Sequence, residues 1–229
     1  MLRIAGALIA VCILFQTGLS AQDKTRETRS VKAFRSLTIS GSFVVHVREG
    51  AVPEVVVVAR GPEHDRVRVV QTGDELRIDG PIPDWGGIEA ELYITTHQLQ
   101  SLSLEGAIQL KTSNTLRGER LDVDCSGASE LELLTECPAL RVECSGACKA
   151  LLKGQSQQFD TELSGAASID AVKLQAERAH VEMSGASQAQ LRVVQKLQAE
   201  LSGASALKLL GKPVELVQNL SGAAEISYL

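Results

Sequence analysis

The stretch LDVDCSGASELELLTECPALRVECSGACKALL, Leu121 to Leu152, holds two copies of one unit, and its reading decides the fold. In each copy Leu, Val and Cys alternate with Asp, Glu or Arg up to Ser-Gly-Ala, and a second alternating run follows. The triplet recurs at Ser126-Gly127-Ala128, Ser145-Gly146-Ala147, Ser164-Gly165-Ala166, Ser184-Gly185-Ala186, Ser202-Gly203-Ala204 and Ser221-Gly222-Ala223. A degenerate copy stands at Glu105-Gly106-Ala107, and successive glycines are 21, 19, 19, 20, 18 and 19 residues apart. A near-constant period of this length is the mark of a solenoid, whose units bury their apolar faces only against each other.

Aligning the copies on the serine produces columns. Five residues before it stand Leu121, Leu140, Phe159, Ala179, Leu197 and Leu216, and one before it Cys125, Cys144, Leu163, Met183, Leu201 and Leu220. Strict alternation between these and polar positions is the pattern of strands with one buried face, not of a helix with period 3.6. Leucine-rich repeats overlap in length, but their Leu-x-x-Leu-x-Leu-x-x-Asn pattern is missing. The expectation is an all-β fold: a parallel β-helix with coils of about 19 residues, right-handed as parallel crossovers are. Strand stacking at about 4.8 Å would make seven copies a rod roughly 30 Å long. Glycine suits the corner because it accepts positive φ without a Cβ clash.

Four regions follow. Residues 1–21 read as an export signal: Met1-Leu2-Arg3 is positive, Ile4 to Phe15 apolar but too short to span a membrane, and Gln16 to Ala21 a small polar exit. Cys12 lacks the small preceding residue of a lipoprotein site, since Val11 stands there. Residues 22–30 read as a flexible linker. Residues 31–100 read as strands, first irregular coils and a β cap, with Ser40-Gly41-Ser42 as a degenerate corner and a hairpin around Thr72-Gly73-Asp74. Residues 101–229 are the regular repeats. The last segment, Glu225 to Leu229, is a strand whose edge could pair with a second copy and produce oligomers.

Together with these corners, FRSLTISGSFVVHVREG, Phe34 to Gly50, and HDRVRVVQTGDELRI, His64 to Ile78, make the chain resemble the auto-transporter adhesin head GIN domain family from about Val31 onward. That resemblance implies a bacterial exported β-helix, periplasmic, surface-bound or secreted, with an adhesive role. It brings no catalytic residues.

Composition narrows the functions. The chain of 229 residues carries net charge −5 and only 3% aromatics, with no basic block, which disfavours nucleic acid and polybasic membrane binding. One polar column stands out: Asp124, Glu143, Glu162, Glu182 and Glu200, two residues before each serine. Like charges in register repel, so three outcomes are open: screening by solvent and salt, bridging by a hard divalent cation, or docking of a basic partner surface. The calcium-binding Gly-Gly-x-Gly-x-Asp repeat is missing. Paired carboxylates also serve sugar-cleaving enzymes. Here every pair is alike, whereas acid and base roles need environments that separate two pKa values. No insertion walls off a cleft, and His46, His64, His97 and His180 fall in unrelated places. The residues therefore assign no catalytic, cofactor or metal site.

Trp85, in PIPDWGG from Pro81 to Gly87, either packs over the end of the core or anchors a sugar or protein partner. Cys125, Cys137, Cys144 and Cys148 allow three pairings in an oxidising compartment, although Cys125 and Cys144 occupy a core column and read as small buried hydrophobes. Zinc is disfavoured because no His falls at matching spacing. The reading is a non-catalytic envelope module that binds a protein or glycan. Its alternative is a self-associating envelope scaffold, and an enzyme acting on polysaccharide stands behind both.

Overall fold

The computed structural model describes residues 24–81 and 90–229. The export signal and Trp85 lie outside the described residues. The strands are β1 (Thr25–Ser30), β2 (Ser36–Glu49), β3 (Glu54–Ala59), β4 (Arg68–Thr72), β5 (Glu75–Asp79), β6 (Ala90–Thr96), β7 (Ser101–Thr112), β8 (Leu116–Arg117), β9 (Arg120–Gly127), β10 (Glu130–Glu136), β11 (Ala139–Cys144), β12 (Lys149–Leu163), β13 (Ser168–Met183), β14 (Gln188–Leu201), β15 (Ala206–Leu209), β16 (Glu215–Leu220) and β17 (Glu225–Tyr228). A short 3-10 turn, Gly61–Arg66, is the sole helical element among the described residues.

Alternating apolar residues make two walls of one parallel β-solenoid, with about six turns of about 20 residues. The wall before the corner stacks β9 on β11, then the second halves of β12, β13 and β14, then β16. The wall after it stacks β10 on the first halves of β12, β13 and β14, then β15 and β17. Like positions coincide: Leu140 lies on Leu121 and under Phe159, and Cys144 lies on Cys125 and under Leu163. All of these side chains are buried. Each large aliphatic among them contributes on the order of 1.5–3 kcal/mol against exposure.

The corner is built from backbone. Gly127, Gly146, Gly165, Gly185, Gly203 and Gly222 all have φ between +73° and +84°. The following alanine donates its N–H to the glycine carbonyl one coil earlier, as from Ala147 to Gly127 at 2.9 Å and from Ala186 to Gly165 at 2.8 Å. A Cβ on any of these six glycines would lie within 3.0 Å of that carbonyl oxygen, so only glycine fits. Variation in repeat length is absorbed at the opposite bend, where the β13–β14 register shifts between Ala171 and Gln175 and again before Arg178. The Ser-Gly-Ala corner itself stays constant.

In the first third, stacking order departs from chain order. Gly41 pairs with Gly106, which makes Ser40-Gly41-Ser42 a true corner. The β2 coil lies between two later segments, with β5 and β6 on one side and β7 on the other. Beyond them β4 pairs antiparallel with β5, and β3 with β6. Residues 25–30, read from the sequence as linker, instead form β1, which pairs antiparallel with β3. Their mainly polar side chains fit an edge strand that buries little. Antiparallel strands thus cover this end of the parallel stack.

Candidate functional site

The strand register brings the five predicted carboxylates together. Asp124 pairs with Glu143, Glu143 with Glu162, Glu162 with Glu182, and Glu182 with Glu200, so one acidic group projects outward from each of five successive coils. Glu143 is half-buried and the other four are exposed. Two side chains of the neighbouring column approach the row, and Arg141 neutralises part of it. Arg141 pairs with Glu143, and His180 Nε2 stands 3.6 Å from Glu182. Arg120 is occupied by Asp122 at 2.7 Å. Among the described residues, Asp124, Glu162 and Glu200 have no ion pair.

Although its side chain is exposed, loss of water to the crowded neighbouring coils first, and the charge of Glu143 second, push the Asp124 carboxyl above its usual range. Open grooves run along the row. One of about 380 Å³ is lined by Arg120, Asp122, Arg141, Asp160, His180 and Glu182. Another of about 180 Å³ lies beside Asp124, Glu143, Ser126 and Ser145. The acidic position repeats every coil, while its carboxylates differ in burial and in pairing.

The serines beside this row are structural. Ser126, Ser184 and Ser202 point their hydroxyls at the carbonyls of Leu104, Leu163 and Met183 one coil earlier, at 3.3–3.5 Å. Sequence reasoning missed the column three residues further on, Ser129, Cys148, Ala167, Ser187 and Ser205, which turns inward and is buried. Ser129 and Ser187 donate to the carbonyls of Ser126 and Ser184 at 3.2 and 2.5 Å, and Ser205 does the same to Ser202. Uniformly small residues at that offset are the signal that could have revealed it.

A second charged cluster sits on the opposite wall. Glu132 receives Lys153 Nζ at 2.5 Å and Lys111 Nζ at 2.9 Å, from the coils on either side. Lys153 first and Lys111 second hold this carboxyl down at about 2. Its folded pKa lies below the unfolded value, so its stabilisation is present above about pH 4.5 and fades as pH falls toward 2. The cluster is solvent-screened, and its effect is small. Glu132→Gln is expected to lower the melting temperature by roughly 1–2 °C at pH 7, with the gap to wild type closing near pH 2 in a calorimetric pH series.

Fold and surface together define a parallel β-solenoid that shows one repetitive acidic face to solvent. The chain belongs to the family described as "Putative auto-transporter adhesin, head GIN domain", whose model matches residues 33–213. It is similar to the solved structure of a putative adhesin from Bacteroides fragilis, with TM-score 0.80 and 17% identity over 91% of this chain and 98% of that one. A putative lipid binding protein from Parabacteroides distasonis aligns with TM-score 0.70 and 14% identity over 91% of this chain and 98% of that one. A putative adhesin from Parabacteroides merdae gives 0.64 and 13% over 91% and 97%. At these identities the likeness concerns the fold. No curated protein matches the chain. Among the described residues, no helix is long and apolar enough to cross a membrane.

Proposed function

We propose that this chain is a non-catalytic, exported module of the bacterial cell envelope. In this reading it binds a cation-bearing protein or glycan through the acidic face, in the manner of an adhesin. The observation that carries the proposal is the carboxylate row in which Asp124, Glu162 and Glu200 have no ion pair among the described residues. Repulsion along such a row is relieved when a partner supplies positive charge. The amino-terminal residues 1–21, with their export-signal pattern, support delivery to the envelope.

Glycan and protein arrays probed with the purified chain test the proposal. Binding is expected to weaken with added salt and to fall at least about tenfold in the triple variant Glu162→Gln, Glu182→Gln, Glu200→Gln. Salt-independent binding that the triple variant retains would exclude the acidic face, and turnover of an arrayed sugar would exclude the non-catalytic reading. A scaffold is the second reading. The last coil leaves Val217, Leu220 and Tyr228 exposed at 48%, 39% and 48%, beside the outer edges of β16 and β17. Filaments that grow with concentration in light scattering would favour it.

A further inference from the structure

Three of the four described cysteines meet inside the core. The sulfurs of Cys125, Cys144 and Cys148 all lie within 4.8 Å of one another, and Cys144 and Cys148 approach to 3.1 Å. Cys125 and Cys144 are register partners one coil apart, with Leu104 and Leu163 as the next layers of the same column. Cys148 enters from the other side of the Ser145-Gly146-Ala147 corner, at the small inward position where other coils place Ser or Ala. Cys137 stands apart and receives the Thr135 hydroxyl at 3.2 Å.

We propose that Cys144 and Cys148 form a disulfide that clamps this corner, with Cys125 left as a buried thiol beside it. Bond formation requires the two sulfurs to close from 3.1 Å to about 2.05 Å, a small movement across a tight turn. Linking Cys125 to Cys144 is disfavoured, because paired residues of adjacent parallel strands are held about 4.8 Å apart while a disulfide brings the Cβ atoms to about 3.8 Å. The chemistry is thiol–disulfide exchange with a low-molecular-weight or protein disulfide. One thiolate attacks that disulfide and expels a thiol, and the second thiolate then displaces the other. The pair loses two protons and two electrons, and the oxidant becomes two thiols. Cys148 donates its S–H to Cys144 Sγ, and because both sulfurs are buried in the finished coil the exchange takes place before the corner closes. Three thiolates around a divalent ion would instead bury a net negative charge among aliphatic side chains, whereas a disulfide is neutral.

The pairing holds whether or not export is correct, because the test sets the redox conditions itself. The full chain is folded in a reduced and oxidised glutathione buffer, alkylated in denaturant without reductant, and digested with trypsin. Cleavage after Arg141 and Lys149 releases Val142 to Lys149, which contains Cys144 and Cys148. Leu121 to Arg141 carries Cys125 and Cys137. The expected result is an unalkylated Val142–Lys149 peptide lighter by two hydrogens, with two alkyl groups on Leu121–Arg141. Reductant should lower the melting temperature by about 5 °C, and Cys148→Ala should remove that sensitivity. Alkyl groups on both Cys144 and Cys148, the two peptides joined to each other, or a metal ion retained in native mass spectrometry would each overturn the proposal. The peptide readout uses the wild-type chain and does not depend on how the variant folds. The same digest on chain recovered from the envelope tests the export reading separately.

Discussion

Leu163→Asp is expected to abolish folding, whereas Glu162→Gln next to it is expected to move the melting temperature by no more than about 1–2 °C. Leu163 is 1% exposed and stacks between Cys144 and Met183 in the column one residue before each serine. Removing its aliphatic volume costs about 2–5 kcal/mol, and forcing a carboxylate into the vacated space adds several more. Total stabilities of about 5–15 kcal/mol leave little after that loss. Glu162 points outward and has no ion-pair partner among the described residues, so neutralising it removes repulsion from Glu143 and Glu182 without opening the core. Far-UV circular dichroism and size exclusion read both variants. Cooperative unfolding of Leu163→Asp at the wild-type temperature would show that the column does not face inward.

The second large effect concerns the corner backbone. Gly106→Ala is expected to cost at least about 3–4 kcal/mol, while Gly73→Ala should cost only about 1 kcal/mol. Both glycines have positive φ, +116° and +59°, so both substitutions bear a conformational penalty. They differ in surroundings. A Cβ at Gly73 meets open space, but at Gly106 it would stand 2.4 Å from the carbonyl oxygen of Gly41. Relieving that overlap means separating the β2 and β7 coils, and Gly106 also accepts the Ala128 N–H at 2.9 Å. Chemical denaturation of the two variants measures the difference. Equal losses would mean that the coils are not packed backbone to backbone at the corner.

The regular coils were legible because a fixed period places each residue on its counterpart. From Leu121 to Leu220 the strand register reproduces the columns read from the sequence, and with them the carboxylate row. Pairing in the first third is set by contacts far apart in the chain, which periodicity does not encode. Nothing in FRSLTISGSFVVHVREG signals that segments from Glu75 and from Ser101 will flank it on opposite sides. Thr25–Ser30 buries little apolar area, so it carried no strand pattern and looked like a linker. The cysteine cluster was half visible. Cys125 and Cys144 share a column in the sequence, but the inward turn of Cys148 depends on the geometry that follows the corner.

The placement of β2 makes the two ends of the chain unequal. Shortening the chain from its carboxyl side sheds one outer layer at a time and leaves the remaining layers in register. Losing the residues up to Glu49 would pull a board from the middle of the stack, leaving β5 and β6 facing β7 across an empty slot. This layer therefore has to wait for segments further along the chain on both of its flanks. The segment from Ser36 to Glu49 is the keystone that the later coils close around.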